Sequence, residues 1–258
     1  MHASATVNYH VSSPKEQAFH IDAGGEEGKL ISPELVATRV GVGDARNGAG
    51  VEFNRDSVAF VRSESAVSGF GDQDRWQETY DQELHQLLAR ETGAREAIIF
   101  DHTVRTDDPD ATRKPARNVH SDYSAAGAHQ RLRDLLGEER AEEWEAGHFA
   151  FINIWRPIGN PINSAPLGFV RPASVAEADW LTIKLIYPDR TGSIMGLVAN
   201  DAHEWIYLSK MTPDEVALFN IYDNRGKAPV AHSALDMIED PHITVPRKSI
   251  ESRALVRY

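Results

Sequence analysis

The chain has 258 residues, 41% hydrophobic and 8% aromatic, which is enough apolar material for one sizeable core, and its net charge is −12. That charge argues against nucleic acid or an anionic membrane as a main partner, and leaves room for a small anionic ligand held by a local arginine. There are no cysteines, which excludes disulfides, thiolate metal sites and iron–sulfur clusters, so any metal must be held by histidine and carboxylate. No run approaches the ~20 apolar residues of a transmembrane helix. No basic stretch followed by an apolar one opens the chain, and a cytoplasmic protein is expected.

In chain order, residues 1–30 show little periodicity and end in the loop-like Gly24-Gly25-Glu26-Glu27-Gly28. Residues 36–42 read as a short strand. The glycines Gly41, Gly43 and Gly48 suggest a phosphate-cradling loop only superficially, because the Rossmann spacing and the Gly-Lys-Ser/Thr ending of a P-loop are absent. Residues 58–61 predict a strand. Trp76, Tyr80, Leu84, Leu87 and Leu88 fall at helical spacing, predicting an amphipathic helix over about 73–91 that stops at Gly93. Residues 97–100 form an apolar strand-type run. The polar stretch 106–118 is a loop suited to border a site. Residues 125–146 predict a pair of helices broken near Gly137.

From residue 149 short strand-like runs alternate with turns, at 149–156, 181–187, 194–199, 204–208, 217–222 and 249–258. Many short strands at this spacing indicate a sandwich or jelly-roll barrel and not a parallel sheet. The expected class is mainly β with flanking helices (α+β). One domain is expected over 1–258, with about 1–110 packing on a barrel core of about 111–258. Oligomeric state is left open, a homodimer being one option.

The residues with chemistry to offer begin with His120-x-Asp122. In an extended segment the two side chains project to one face, supplying two thirds of a 2-His-1-carboxylate metal site. His232 is the best candidate for the second histidine. Among 11 histidines and 39 acidic residues a chance His-x-Asp is expected, so the tripeptide needs support. In residues 149–157, alternation places Asn153 and Trp155 opposite Ile152 and Ile154, as a cavity wall or as core. Arg156 precedes a proline and reads as a surface residue or a cap on the site. In the last strand Ser249, Glu251, Arg253, Leu255 and Arg257 share a face. An inward arginine there, Arg253 or alternatively Arg247, could bind a ligand carboxylate. His102 and Arg105 end an apolar run and are pocket candidates of second rank, with Tyr123 beside the motif. His203 reads as a satisfied side chain.

These motifs, taken in order, resemble a known family. Gly93-Ala94, then Ile99 to Arg105, Val119 to Ser124, Asn153-Ile154-Trp155-Arg156-Pro157, Tyr222-Asp223-Asn224 with His232-Ser233-Ala234, and Arg247 to Arg253 follow the sequence of the gibberellin desaturase-like and cephalosporin methoxylase-like oxygenases that depend on Fe(II) and 2-oxoglutarate. The resemblance runs from about residue 50 to the C-terminus. It implies a double-stranded β-helix (a cupin-like jelly roll), iron held by His120, Asp122 and His232, and 2-oxoglutarate as co-substrate. It also implies O2 and a small-molecule substrate, natural product or metabolite, that is hydroxylated or desaturated while succinate and CO2 form. Arg253 is the favoured partner of the 2-oxoglutarate distal carboxylate, with Arg247 the alternative; Asn153, Trp155 and Tyr123 are expected to line the pocket. Related halogenases lack the carboxylate ligand, so Asp122 argues against halogenation. Two other classes compete: a cupin-type hydrolase or isomerase using Zn(II) or Mn(II) on the same ligands, and a non-catalytic binding barrel.

Overall fold

The computed structural model describes residues 3–21, 27–30, 35–48, 50–67, 69–71, 75–238 and 245–258. In chain order its elements are β1 (Ala3–Tyr9), β2 (Ala18–Ile21), β3 (Glu27–Leu30), β4 (Val36–Asp44), α1 (Phe53–Asp56), β5 (Val58–Arg62), α2 (Trp76–Thr92), β6 (Glu96–Thr106), β7 (His120–Ser121), α3 (Ala125–Leu136), α4 (Glu138–Ala146), β8 (Phe149–Pro157), β9 (Leu167–Val170), β10 (Trp180–Ile186), β11 (Thr191–Leu197), β12 (Trp205–Tyr207), β13 (Glu215–Asp223), β14 (His232–Ala234), β15 (Asp236–Met237) and β16 (Lys248–Arg257). The strands form a larger sheet, ordered β15-β1-β4-β12-β9-β14-β7-β11-β10-β2-β3, and a smaller one, ordered β5-β13-β8-β16-β6. Facing each other, they make the jelly-roll barrel of the expected class.

Strand β8 shows why the smaller sheet needs cover on both faces. All nine of its residues are buried. Phe149, Phe151 and Trp155 enter the core between the sheets with Phe169 of β9 and Ile206 of β12. Ala150, Ile152 and Ile154 point the other way, against Tyr80, Leu84, Leu87 and Leu88 of α2. Burying each such large side chain is worth about 1.5–3 kcal/mol, so the apolar stripe of α2 and the outer face of β8 hold each other out of water. The same parity runs along β16, whose Ile250, Ala254 and Val256 meet α2. α2 ends where expected, at Gly93, which adopts φ 78° and donates its N–H to the Ala89 carbonyl. Gly137, at φ 75°, breaks the α3–α4 pair. Residues 73 and 74 of the predicted helix lie outside the described residues.

The N-terminal segment departs from expectation. Where little pattern is legible, β1 forms and pairs with β4 and β15. Its buried residues alternate as Ala5, Val7 and Tyr9, but the small and polar residues between them blur the period. Glu27 and Gly28, expected in a loop, belong to β3; residues 24–26 lie outside the described residues. Beyond its strand, the N-terminal segment crosses behind the His120 strand: Val119 N–H donates to the Asn8 carbonyl at 2.9 Å and His10 N–H to the Leu197 carbonyl at 2.9 Å. No helix among the described residues is long and apolar enough to cross a membrane.

Candidate active site

The two histidines meet because their strands are neighbours. His120 of β7 lies directly across the ladder from His232 of β14 on one side and from Gly196 of β11 on the other. The two imidazole centroids are 4.4 Å apart. Asp122, just past β7, brings Oδ1 to 3.4 Å from His120 Nε2 and 3.9 Å from His232 Nε2. The three ligand atoms lie within 4.8 Å of one another. His120 Nδ1 donates to the Asn118 carbonyl at 2.8 Å, and His232 Nδ1 to the Val230 carbonyl at 3.3 Å. These bonds favour the tautomer with the Nε2 lone pair facing the centre, the arrangement that orients metal-bound imidazoles. Burial, reinforced by His120, lowers the His232 pKa to about 3, so this imidazole is neutral.

The second oxygen of Asp122 is already engaged. Oδ2 accepts from Asn153 Nδ2 at 2.8 Å and from Arg253 Nε at 3.1 Å. Burial opposes ionisation of this carboxyl, but Arg253 and the two imidazoles hold its pKa well below the usual carboxylate range. One oxygen thus remains for a metal, which His120, His232 and Asp122 could hold with two nitrogens and one oxygen. That donor set suits Fe(II).

Arg253 and Arg247 have very different surroundings. Arg253 also donates to Asp101 and Glu251, each at 2.5 Å, so three carboxylates surround it. Arg247 is 4% exposed. Its guanidinium reaches Ser249 Oγ at 3.3 Å and the Ala165 carbonyl, and lies 5.0 Å over the Trp155 ring. Among the described residues it forms no ion pair. Burial lowers its pKa to about 9, with Asp107 acting against the shift.

On the other side of Asn153, the inner face of β8 continues into an aromatic wall. Phe151 contacts Tyr123 at 4.9 Å and Phe100 at 5.8 Å between ring centroids. Burial pushes the Tyr123 hydroxyl up to about 12, so it is a neutral phenol.

Two candidates face away. His102 bonds Ser252 Oγ at 2.8 Å and Asp81 at 2.9 Å on the α2 side of the smaller sheet. The cause is a bulge in β6: Asp101 pairs with Arg253 and Ile99 with Ala254, leaving Phe100 as the extra residue. Asp101 is thereby turned inward, and His102 outward. This Asp–His–Ser string offers no hydrolase, because Ser252 is fully buried. Arg156 also faces outward, 5.3 Å over the Tyr80 ring, as its shared parity with Ile152 and Ile154 requires. Arg105 lies opposite Ser249 in the ladder and donates to the Lys114 carbonyl at 2.8 Å. His203 is a satisfied core residue between Tyr9 and Asp179. Sequence reasoning missed Asp101, which only the bulge brings to Arg253.

The family model described as "Oxidoreductase/YMDC permease-like domain" matches residues 7–257. The chain is 32% identical to alpha-ketoglutarate-dependent dioxygenase phiK of Fungal sp. (strain ATCC 74256), covering 95% of this chain and 92% of that one. It is 32% identical to hydroxylase/desaturase efuI of Hormonema carpetanum over 83% and 82% of the two chains. A solved structure of the iron and alpha-ketoglutarate-dependent endoperoxidase NvfI shares the fold, with a TM-score of 0.84 at 23% identity over 99% and 98% of the chains. The chain therefore belongs to the Fe(II)/2-oxoglutarate-dependent dioxygenases. It is an oxidoreductase that uses Fe(II), 2-oxoglutarate and O2 on a small-molecule substrate.

Proposed function

We propose that His120, Asp122 and His232 hold the iron, that Arg247 with Ser249 takes the distal carboxylate of 2-oxoglutarate, and that the enzyme hydroxylates or desaturates a natural product or related metabolite. The observation that carries the metal assignment is the division of labour at Asp122: Oδ1 faces both imidazole Nε2 atoms while Oδ2 is occupied by Asn153 and Arg253. Bound Fe(II), with 2-oxoglutarate and O2, supplies the oxidising power to remove hydrogen from an unactivated C–H bond, with release of succinate and CO2.

The chain's own residues position and insulate that chemistry. Asn153 and Arg253 keep Asp122 ionised and turned so that one oxygen points to the centre. Arg247, buried and without a carboxylate partner among the described residues, offers planar donors matched to a carboxylate. Of the two arginines the sequence offered for this role, Arg253 is already surrounded by acidic groups, which favours Arg247. Trp155 forms the floor beneath Arg247, while Phe151 and Tyr123 exclude water on the substrate side.

Strands from both sides of residue 110 share both sheets, which supports reading the chain as one oxygenase domain. The charge of −12 supports a small-molecule partner over nucleic acid, and a cytoplasmic setting fits the composition.

Asp122→Ala tests the triad. It is expected to abolish Fe(II)-dependent conversion of 2-oxoglutarate to succinate; undiminished succinate formation would overturn the assignment.

A further inference from the structure

Two arginines beside the triad have no carboxylate partner among the described residues, and they lie at opposite ends of it. Arg247 sits over Trp155. Arg131, on α3, stacks over Phe100 with its guanidinium carbon 4.9 Å from the ring centroid. Phe100 in turn touches Phe151. Phe151 and Trp155 bracket Asn153 on the inner face of β8, so the two arginines flank the residue that anchors Asp122. Phe151 and Trp155 are four residue steps apart along the strand, about 13 Å between their backbones.

Arg131 is partly buried and makes no hydrogen bond or ion pair among the described residues. Phe100, on which it stacks, and Tyr123, next to Asp122, both pack on Phe151, at 5.8 and 4.9 Å between ring centroids, which places Arg131 at the aromatic wall of the site and not on a remote surface. The contact Arg131 makes is its stacking on Phe100, which leaves its N–H donors open to a ligand. Arg253, by contrast, is ringed by three carboxylates, with four of its five N–H donors directed at Asp122, Asp101, Thr103 and Glu251. Beneath Arg131 lie the partly exposed rings of Phe100 and Tyr123, backed by the buried Phe151. The surface therefore combines one open guanidinium with apolar ring faces.

We infer that Arg131 is a specificity-determining residue that pairs with a carboxylate carried by an otherwise apolar, ring-bearing substrate lying along Phe100 and Tyr123. This rests on the oxygenase reading above. It adds the class of substrate: an acid, bound by its carboxylate on the side of the triad away from the co-substrate.

The test uses protein loaded with Mn(II) and saturated with N-oxalylglycine, an inert mimic of 2-oxoglutarate, and two probes of one shape, 2-naphthoate and 2-naphthamide. Binding is followed by ligand-observed NMR, and Mn(II)-induced line broadening against a Zn(II)-loaded reference reports closeness to the triad. The wild type is expected to bind 2-naphthoate at least about tenfold more tightly than the amide, in line with a charge-assisted pair, and both probes should be broadened. Arg131→Gln should erase the preference by weakening the naphthoate alone. Arg131→Lys, which keeps the charge and loses the planar fork, should retain part of it. Affinity for N-oxalylglycine should not change in either variant. Equal affinity of the wild type for the two probes, absence of binding or broadening, or an unchanged preference in Arg131→Gln overturns the inference. Loss of N-oxalylglycine binding in Arg131→Gln also overturns it, by giving Arg131 the co-substrate. Failure of the wild type to bind N-oxalylglycine at all would instead count against the oxygenase site, and naphthoate binding measured without it still decides the role of Arg131.

Discussion

Arg253 Nε donates to Asp122 Oδ2 at 3.1 Å, on the oxygen turned away from both imidazoles. The contact suits Arg253 to position Asp122, and underlies the proposal that Arg247 and not Arg253 takes 2-oxoglutarate. Removing each arginine in turn is expected to give opposite results. Arg253→Gln is expected to weaken Mn(II) binding about 10–100-fold, the usual scale for losing an outer-shell partner, while the metal-loaded protein keeps most of its affinity for N-oxalylglycine. Arg247→Gln should leave Mn(II) binding near normal and weaken N-oxalylglycine by about tenfold or more. Arg253→Lys, with one donor restored, should recover part of the metal affinity. Calorimetric titration of metal and then mimic separates the two; a reversed pattern would return the co-substrate to Arg253.

Gly196 faces His120 across the ladder, and the His10 ring fills the space where its side chain would be. A Cβ there would lie 2.6 Å from His10 Cδ2 and 2.9 Å from Ile183 Cγ1. Gly196→Ala must push His10 aside, and His10 is tied to Asn118, the residue whose carbonyl orients His120. The expected cost is about 1–3 kcal/mol in urea denaturation, the scale of overpacking a tight core, together with weaker Mn(II) binding. Unchanged stability and metal affinity would show that the N-terminal segment does not brace the ligand strand.

Acid should destabilise the metal-free protein earlier than its carboxylates alone require. His10 and His232 are both buried, and burial lowers their pKa values to about 4 and about 3, with His120 adding to each shift. Between those values and the unfolded pKa of about 6.5, the unfolded chain binds protons that the folded chain refuses. Stability is therefore complete above about pH 6.5 and is lost as pH falls. Each imidazole contributes at most about 1.4 kcal/mol per pH unit. The depressed carboxyl of Asp122 acts in the same direction, but only below about pH 4. Urea midpoints measured from pH 7 to pH 5 should fall steadily, and His10→Gln should flatten the slope. A pH-independent midpoint would contradict neutral burial of both rings.

Much of this site could be read before folding, because strand parity is a local property. Residues 149–157 announce two faces, and Asn153 and Trp155 do share the inner one. The same parity, applied to Arg156, already sends it outward with Ile152 and Ile154. The helix over Trp76 to Leu88 shows itself because its apolar stripe repeats every turn. Strands β7, β9 and β14 were not legible: at two, four and three residues, they are too short to display an alternation, and only their neighbours hold them.

What the sequence by itself determined is the list of ligand types, two imidazoles and a carboxylate with no thiol to compete, and the alternation that lays an amide, an indole and an arginine-bearing strand along one wall. What only the tertiary structure decided is which of those groups remain available. A bulge at Phe100 turns Asp101 inward and His102 outward; Asp101 then joins Glu251 and Asp122 around Arg253, while Arg247 and Arg131 are left without acidic partners among the described residues. Whether a guanidinium is engaged or open depends on carboxylates delivered by other strands, and no spacing along the chain records that.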